Sequence, residues 1–243
     1  MRAYQMIKDR VVSLSIEECF PFLAERGHVI SLVGAGGKTT LMYCLAQRFA
    51  ERGMKTVVMT TTKIKRPDQF AKTIEECRTC WAAGEYAVCG EEAPENKLSA
   101  PKEDVIAALL IEADAVLIEA DGAKHMALKA PAAHEPVILP KTDIAIGVAG
   151  VQVLGHPVEE ICFRPEHVQA LLSCEGKHCL TPDDLAELML SENGTRKAVE
   201  DRQYYTVINK CDDGAWLAQG AKIARALENR GHMHTVLMCL KPE

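Results

Sequence analysis

The residues best suited to chemistry are Gly34-Ala35-Gly36-Gly37-Lys38-Thr39-Thr40. They follow a β-rich run over 28–33. They open a segment over 39–52 whose apolar residues, Leu41, Met42, Leu45, Ala46 and Phe49, recur at helical spacing. A glycine loop between a strand and a helix is the setting of a phosphate loop. The glycines let backbone N–H groups turn inward around a polyphosphate, and the helix N-terminus adds partial positive charge. Lys38 supplies a point charge for β/γ oxygens, and the Thr39 hydroxyl suits Mg²⁺. The spacing is shorter than usual. The leading glycine is Gly34, and Leu32 stands where the common pattern places its first glycine.

A second constellation is Asn209-Lys210-Cys211-Asp212, directly after a predicted strand over 204–208. In such a loop an Asp carboxylate accepts from the N1–H and exocyclic amino group of guanine, donors that adenine lacks there. The alternative is a polar loop before a helix, with Asp212 or Asp213 as its N-cap. A third is the apolar run over 115–118 ending in Glu119-Ala120-Asp121-Gly122. Glu119 and Asp121 point to the same side of the strand line and qualify as Mg²⁺ holders with Thr39. Lys38 and Asp121 are the candidate catalytic residues, and no catalytic base is identifiable. Thr60-Thr61-Thr62-Lys63 ends another predicted strand. The polar stretch Lys124-His125 … Lys129 … His134-Glu135-Pro136 suits a substrate or partner loop better than a plain connector.

These motifs need a frame. Strands over 28–33, 55–60, 115–119, 143–148, 204–208 and 234–239 alternate with helices over 39–52, 101–113, 165–172, 182–190 and 215–230. That alternation predicts an α/β fold, P-loop NTPase-like, with a mainly parallel sheet flanked by helices. A single domain over 1–243 is expected, with an inserted excursion at about 67–100 that holds a helix near 70–80 and a strand near 86–89. Ser15 and Glu18 have capping-box spacing before a short helix limited by Pro21.

The 243 residues, 48% of them hydrophobic, suffice for a full core. A net charge of −6 excludes general nucleic-acid binding, which needs a concentrated basic surface. No apolar run approaches the ~20 residues of a membrane helix, and no signal peptide is evident. The expectation is a cytoplasmic protein with no membrane partner. The ten cysteines fall mostly inside apolar patterns and read as reduced core residues. Cys77, Cys80 and Cys89 lack a fourth close ligand, so no zinc is expected.

With these motifs the chain resembles the YqeC-type selenium-dependent hydroxylase accessory proteins. The matching stretches are SLVGAGGKTTLMYCLA at 31–46, TTTKI at 60–64, EADGAKHMALKAPAAHEP at 119–136, GVAGVQVLGHP at 147–157, FRPE at 163–166 and VINKCD at 207–212. The resemblance implies a P-loop protein involved in maturing selenium-dependent molybdenum hydroxylases, with such an enzyme or its maturation machinery as partner. The expected ligands are a nucleoside triphosphate and Mg²⁺, with GTP favoured and ATP the alternative, and the expected activity is nucleotide hydrolysis. The glycine loop also looks like that of the Mur ligases, which leaves an ATP-dependent enzyme that activates or transfers a small group as one alternative. A regulatory module that holds nucleotide without hydrolysing it is another.

Overall fold

The computed structural model describes residues 1–123 and 126–240. The main sheet has nine strands: β1 (Arg2–Ile7), β2 (Arg10–Leu14), β3 (His28–Gly34), β4 (Thr56–Thr60), β5 (Ala87–Val88), β6 (Ala115–Glu119), β7 (Ile144–Gly150), β8 (Gln203–Asn209) and β9 (Thr235–Cys239). Their spatial order is β2-β1-β9-β8-β7-β3-β6-β4-β5. Every pairing from β9 to β5 is parallel. The β1–β2 hairpin adds two antiparallel pairings at one edge.

The longer helices are α1 (Lys38–Glu51), α2 (Ile74–Ala82), α3 (Glu103–Glu112), α4 (Pro165–Leu172), α5 (Pro182–Leu190) and α6 (Gly214–Glu228). Strand periodicity sorts the core. Ile30, Leu32, Val58, Leu117, Ile146 and Val207 meet the apolar stripe of α1. Their alternates Val57, Met59, Val116 and Ile118 pack with residues of α2 and α3, and Ala149, Ile208 and Leu237 pack with residues of α5 and α6. Leu41, Met42, Leu45 and Phe49 of α1 are fully buried. Each contributes about 1.5–3 kcal/mol relative to exposure, which fixes the helix that carries Lys38 and Thr39.

The connections set the site. From β3 the chain runs through α1 to β4 and leaves a gap that β6 fills. From β6 it crosses to β7 on the other flank of β3. The connections leaving β3 and β6 therefore diverge, and the crevice at their carboxyl ends is the usual ligand position of such sheets.

The stretch at 67–100 returns to the main sheet through β5. Beside it lies a three-stranded antiparallel sheet of Lys63–Lys65, Lys97–Ser99 and Glu91–Ala93. The capping box at Ser15 and Glu18 is present, and the short helix Ile16–Cys19 gives way to a 3-10 turn at Pro21–Ala24. Among the described residues no helix is long and apolar enough to cross a membrane.

Candidate functional site at the glycine loop

The loop between β3 and α1 is held from several directions. The Gly34 N–H donates to Asp121 Oδ2 at 3.0 Å. The Ala35 N–H donates to the Val148 carbonyl at 2.9 Å, and the Gly36 N–H to the Met126 carbonyl at 3.2 Å. Gly36 has φ +84°, and a Cβ there would lie 2.5 Å from Gly150 N, so only glycine fits. Gly37 has φ +130° and is the N-cap of α1, without a side chain to satisfy the first turn. The first N–H groups of a helix have no intrahelical acceptors and carry partial positive charge. Thr40, by contrast, is exposed.

Lys38 is 4% exposed. Its ammonium donates to the Gly34 carbonyl at 2.6 Å and lies 3.1 Å from Asp121 Oδ1 and 3.9 Å from Glu119 Oε1. Thr39 Oγ1 donates to Glu119 Oε2 at 2.6 Å. Burial, the largest influence on Glu119, pushes its carboxyl above the ordinary value, against the pull of Lys38 and the Thr39 hydroxyl. Thr60 Oγ1 donates to the Glu119 carbonyl at 2.9 Å and ties β4 to the end of β6. Lys38, Thr39, Glu119 and Asp121 thus converge at one point.

Asn209 joins them from the far side. Its Nδ2 donates to the Gly36 carbonyl at 2.8 Å, across 173 positions of sequence. Lys210, exposed and left-handed at φ 66°, follows it. Cys211 is buried, and its N–H donates to the Met238 carbonyl. The Asp212 carbonyl accepts from Arg2 at 2.9 Å. Asp213 is the N-cap of α6, accepting from the Ala215 and Trp216 N–H groups.

The second half of this charge system comes from the stretch that the sequence suits to a substrate or partner loop, joined by Arg164. Lys129 is fully buried. Its ammonium lies 3.1 Å from Asp121 Oδ2 and 2.9 Å from Glu135 Oε2, and donates to the Gly122 carbonyl at 2.7 Å. Arg164 Nη1 lies 2.5 Å from Glu135 Oε2, with its guanidinium 4.7 Å from the Phe163 ring centroid. Three cations, Lys38, Lys129 and Arg164, alternate with the carboxylates of Glu119, Asp121 and Glu135. Within the polar stretch, residues 127–132 and Glu135 form a buried strap. Leu128–Lys129 pairs in parallel with Cys162–Phe163, the Gly150 N–H donates to Ala127, and Lys197 donates to the carbonyls of Ala132 and Ala133. His134 is exposed, and Lys124 and His125 lie outside the described residues. The available sequence signal was a lysine and a glutamate among alanines and prolines, too small and apolar a setting for a solvated loop.

Burial, the largest influence on Glu135, acts to raise its carboxyl. The hydrogen bonds and charges of Lys129 and Arg164 outweigh it and hold the group at about 2. A folded value below the ordinary 4.5 means the stabilisation is complete above about pH 4.5 and is lost as pH falls toward 2. Urea midpoints followed from pH 6 to pH 3 should fall, and Glu135→Gln should flatten the part of that slope below about pH 4.5. An unchanged slope in the variant would assign the acid sensitivity elsewhere.

Of the three cysteines singled out, Cys77 and Cys89 are buried against one another, and their hydrogen bond together with burial pushes the Cys77 thiol up. Cys80 is partly buried at the wall of a cavity.

The fold and the site define an α/β protein whose glycine loop heads a mainly parallel sheet, with a lysine, a threonine and two acids converging on the loop. The family described as YqeC protein matches residues 30–166, the stretch that carries all four. The protein YqeC of Escherichia coli (strain K12) is 33% identical over 187 residues, covering 69% of this chain and 66% of that protein. The chain belongs to the YqeC family.

Proposed function

We propose that the chain is a Mg²⁺-dependent nucleoside triphosphatase that favours GTP and serves as an accessory factor in maturing selenium-dependent molybdenum hydroxylases. The maturation role rests on the family resemblance. The observation that supports the nucleotide reading is the hydrogen bond from Asn209 to Gly36, which brings the Asn209–Asp212 loop, the proposed base reader, against the loop suited to phosphates. The loop backbone, the first turn of α1 and Lys38 would take the phosphates.

Thr39 and Glu119 fit Mg²⁺. They present two adjacent oxygens, and the buried Glu119 carboxylate gains from a cation. A Mg²⁺ ion held there would supply charge neutralisation for a polyphosphate. Asp121 is already engaged by Lys38, Lys129 and the Gly34 N–H, so its part is to position Lys38 and the loop. To reach a phosphate, Lys38 must leave the Gly34 carbonyl, and Lys129 then keeps Asp121 neutralised.

Calorimetric titration with GTP, ATP and XTP in Mg²⁺ tests the reading. GTP should bind at least ~100-fold more tightly than ATP, because adenine leaves the Asp212 carboxylate without its donors. Asp212→Asn should move preference toward XTP, whose C2 carbonyl accepts from the new amide. Equal affinities for GTP and ATP, unmoved by Asp212→Asn, would reduce the Asn209–Asp212 loop to a helix lead-in. Absence of phosphate release from a tight complex would replace hydrolysis with a holding role.

A further inference from the structure

A cavity of about 940 Å³ opens beside Thr39, between α1, the chain after Lys63–Lys65 and the approach to β5. Its walls include Thr39, Tyr43, Gln47, Gln69, Phe70 and Tyr86. The volume lies in the range of sites that enclose small molecules, about 300–1,000 Å³. The chain holds only twelve Phe, Tyr and Trp residues, and three of them line this one space. Tyr43 comes from α1 and Tyr86 from the chain before β5, and their ring centroids are 6.1 Å apart at 36°. Aromatic faces brought together from separate elements make a stacking platform for a planar ring.

The polar groups narrow the ligand further. Burial pushes the Tyr43 hydroxyl up to about 12, with further rises from Tyr86 and Glu119, and burial also raises Tyr86. Both phenols stay neutral and can donate. Gln69 offers a donor and an acceptor, while the Gln47 amide donates one hydrogen to Glu51 at 3.1 Å and keeps its carbonyl oxygen as an acceptor. That set matches the mixed edge of a heteroaromatic ring. The formal charges disfavour an acidic ligand: Lys65 and Arg66 line the cavity together with Asp68, Glu76 and Glu85, and Arg66 is paired with Glu92 at 3.3 Å.

The cavity is not the place proposed for the nucleotide base. Asn209 ends β8, on one side of β3. Tyr86 precedes β5, at the opposite edge of the sheet. Thr39 borders both the glycine loop and the cavity, so a ligand there would lie at the end of the loop where Thr39 meets Glu119.

We propose that this cavity binds a second small molecule, a planar heteroaromatic compound without net charge, alongside the glycine loop. The assignment goes beyond the nucleotide reading and does not depend on it. The probes are quinazolin-4-one, caffeine and lumazine, with cyclohexanecarboxamide as the non-aromatic control. Each is titrated by saturation-transfer NMR into the full chain, with and without Mg²⁺ and GTP. At least one aromatic probe should bind while the control does not. Tyr86→Leu should weaken that binding by about tenfold or more, and Tyr86→Phe should stay within about threefold of the parent. Neither variant should change GTP affinity. If no aromatic probe binds at millimolar concentration, or if binding survives Tyr86→Leu, the assignment fails. If probes bind in a Tyr86-dependent way while neither GTP nor ATP binds, the nucleotide reading fails and the cavity assignment stands.

Discussion

Lys129→Ala is expected to lower the unfolding free energy by about 3–5 kcal/mol, the usual cost of removing one member of a buried ion pair. Lys129 is fully buried between Asp121 and Glu135. The variant leaves both carboxylates short of a cation, strands the Gly122 carbonyl and opens a void where the lysine stem packed. The neighbouring charges compensate unequally. Asp121 keeps Lys38 and the Gly34 N–H, and among the described residues Glu135 keeps Arg164 as its one cation. Arg164→Ala should therefore cost less, about 1–3 kcal/mol, because Arg164 is a quarter exposed and Glu135 would retain Lys129. Urea unfolding at pH 7 measures both, with Lys65→Ala as an exposed control. A loss under about 1 kcal/mol for Lys129→Ala would show that the charge chain does not hold the strap in place.

The reasons some of this was legible in the sequence, and some not, are physical. The loop, α1 and the end of β6 could be read because a glycine run, a 3.6-residue apolar period and an apolar run ending in acid are local signals. Each agrees with the tertiary structure that surrounds it. The β1–β2 hairpin went unread. Its turn residues, Lys8 and Asp9, adopt φ 48° and 64° without the glycine that usually marks such a turn. Lys97–Ser99 and Glu91–Ala93 were hidden in the same way, since Glu95 and Asn96 make their left-handed turn and the stretch reads as merely charged. Lys129 was hidden for the opposite reason. A lysine is read as solvated unless partners are known, and its partners lie on β6's exit and further along its own strap. The contact between Asn209 and Gly36 likewise has no local trace. Two motifs were visible separately, and only the order β8-β7-β3 brings them together.

The largest effect on ligand binding is expected from Lys38→Ala, which should weaken triphosphate binding at least ~1,000-fold, or about 4 kcal/mol. One ammonium making charge-assisted bonds to β and γ oxygens contributes about 1.5–3 kcal/mol per bond, so the sum reaches that figure. The same lysine is also the nearest cation to Asp121 Oδ1 and lies within 3.9 Å of Glu119. Its removal therefore concentrates negative charge at the mouth of the loop, where an anion must enter. Stability and affinity must be read separately for that reason. Urea unfolding should show a folded variant with reduced stability, since Asp121 retains Lys129 and Glu119 retains the Thr39 hydroxyl. A second substitution isolates the charge itself. Lys38→Met keeps much of the stem packing, and its affinity should fall as far as that of Lys38→Ala. Calorimetry on both folded variants, in Mg²⁺ and GTP, makes the comparison. Parental affinity in either would show that Lys38 is only the internal counter-ion of Asp121, and that the glycine loop is a tight strand-to-helix turn without a phosphate ligand.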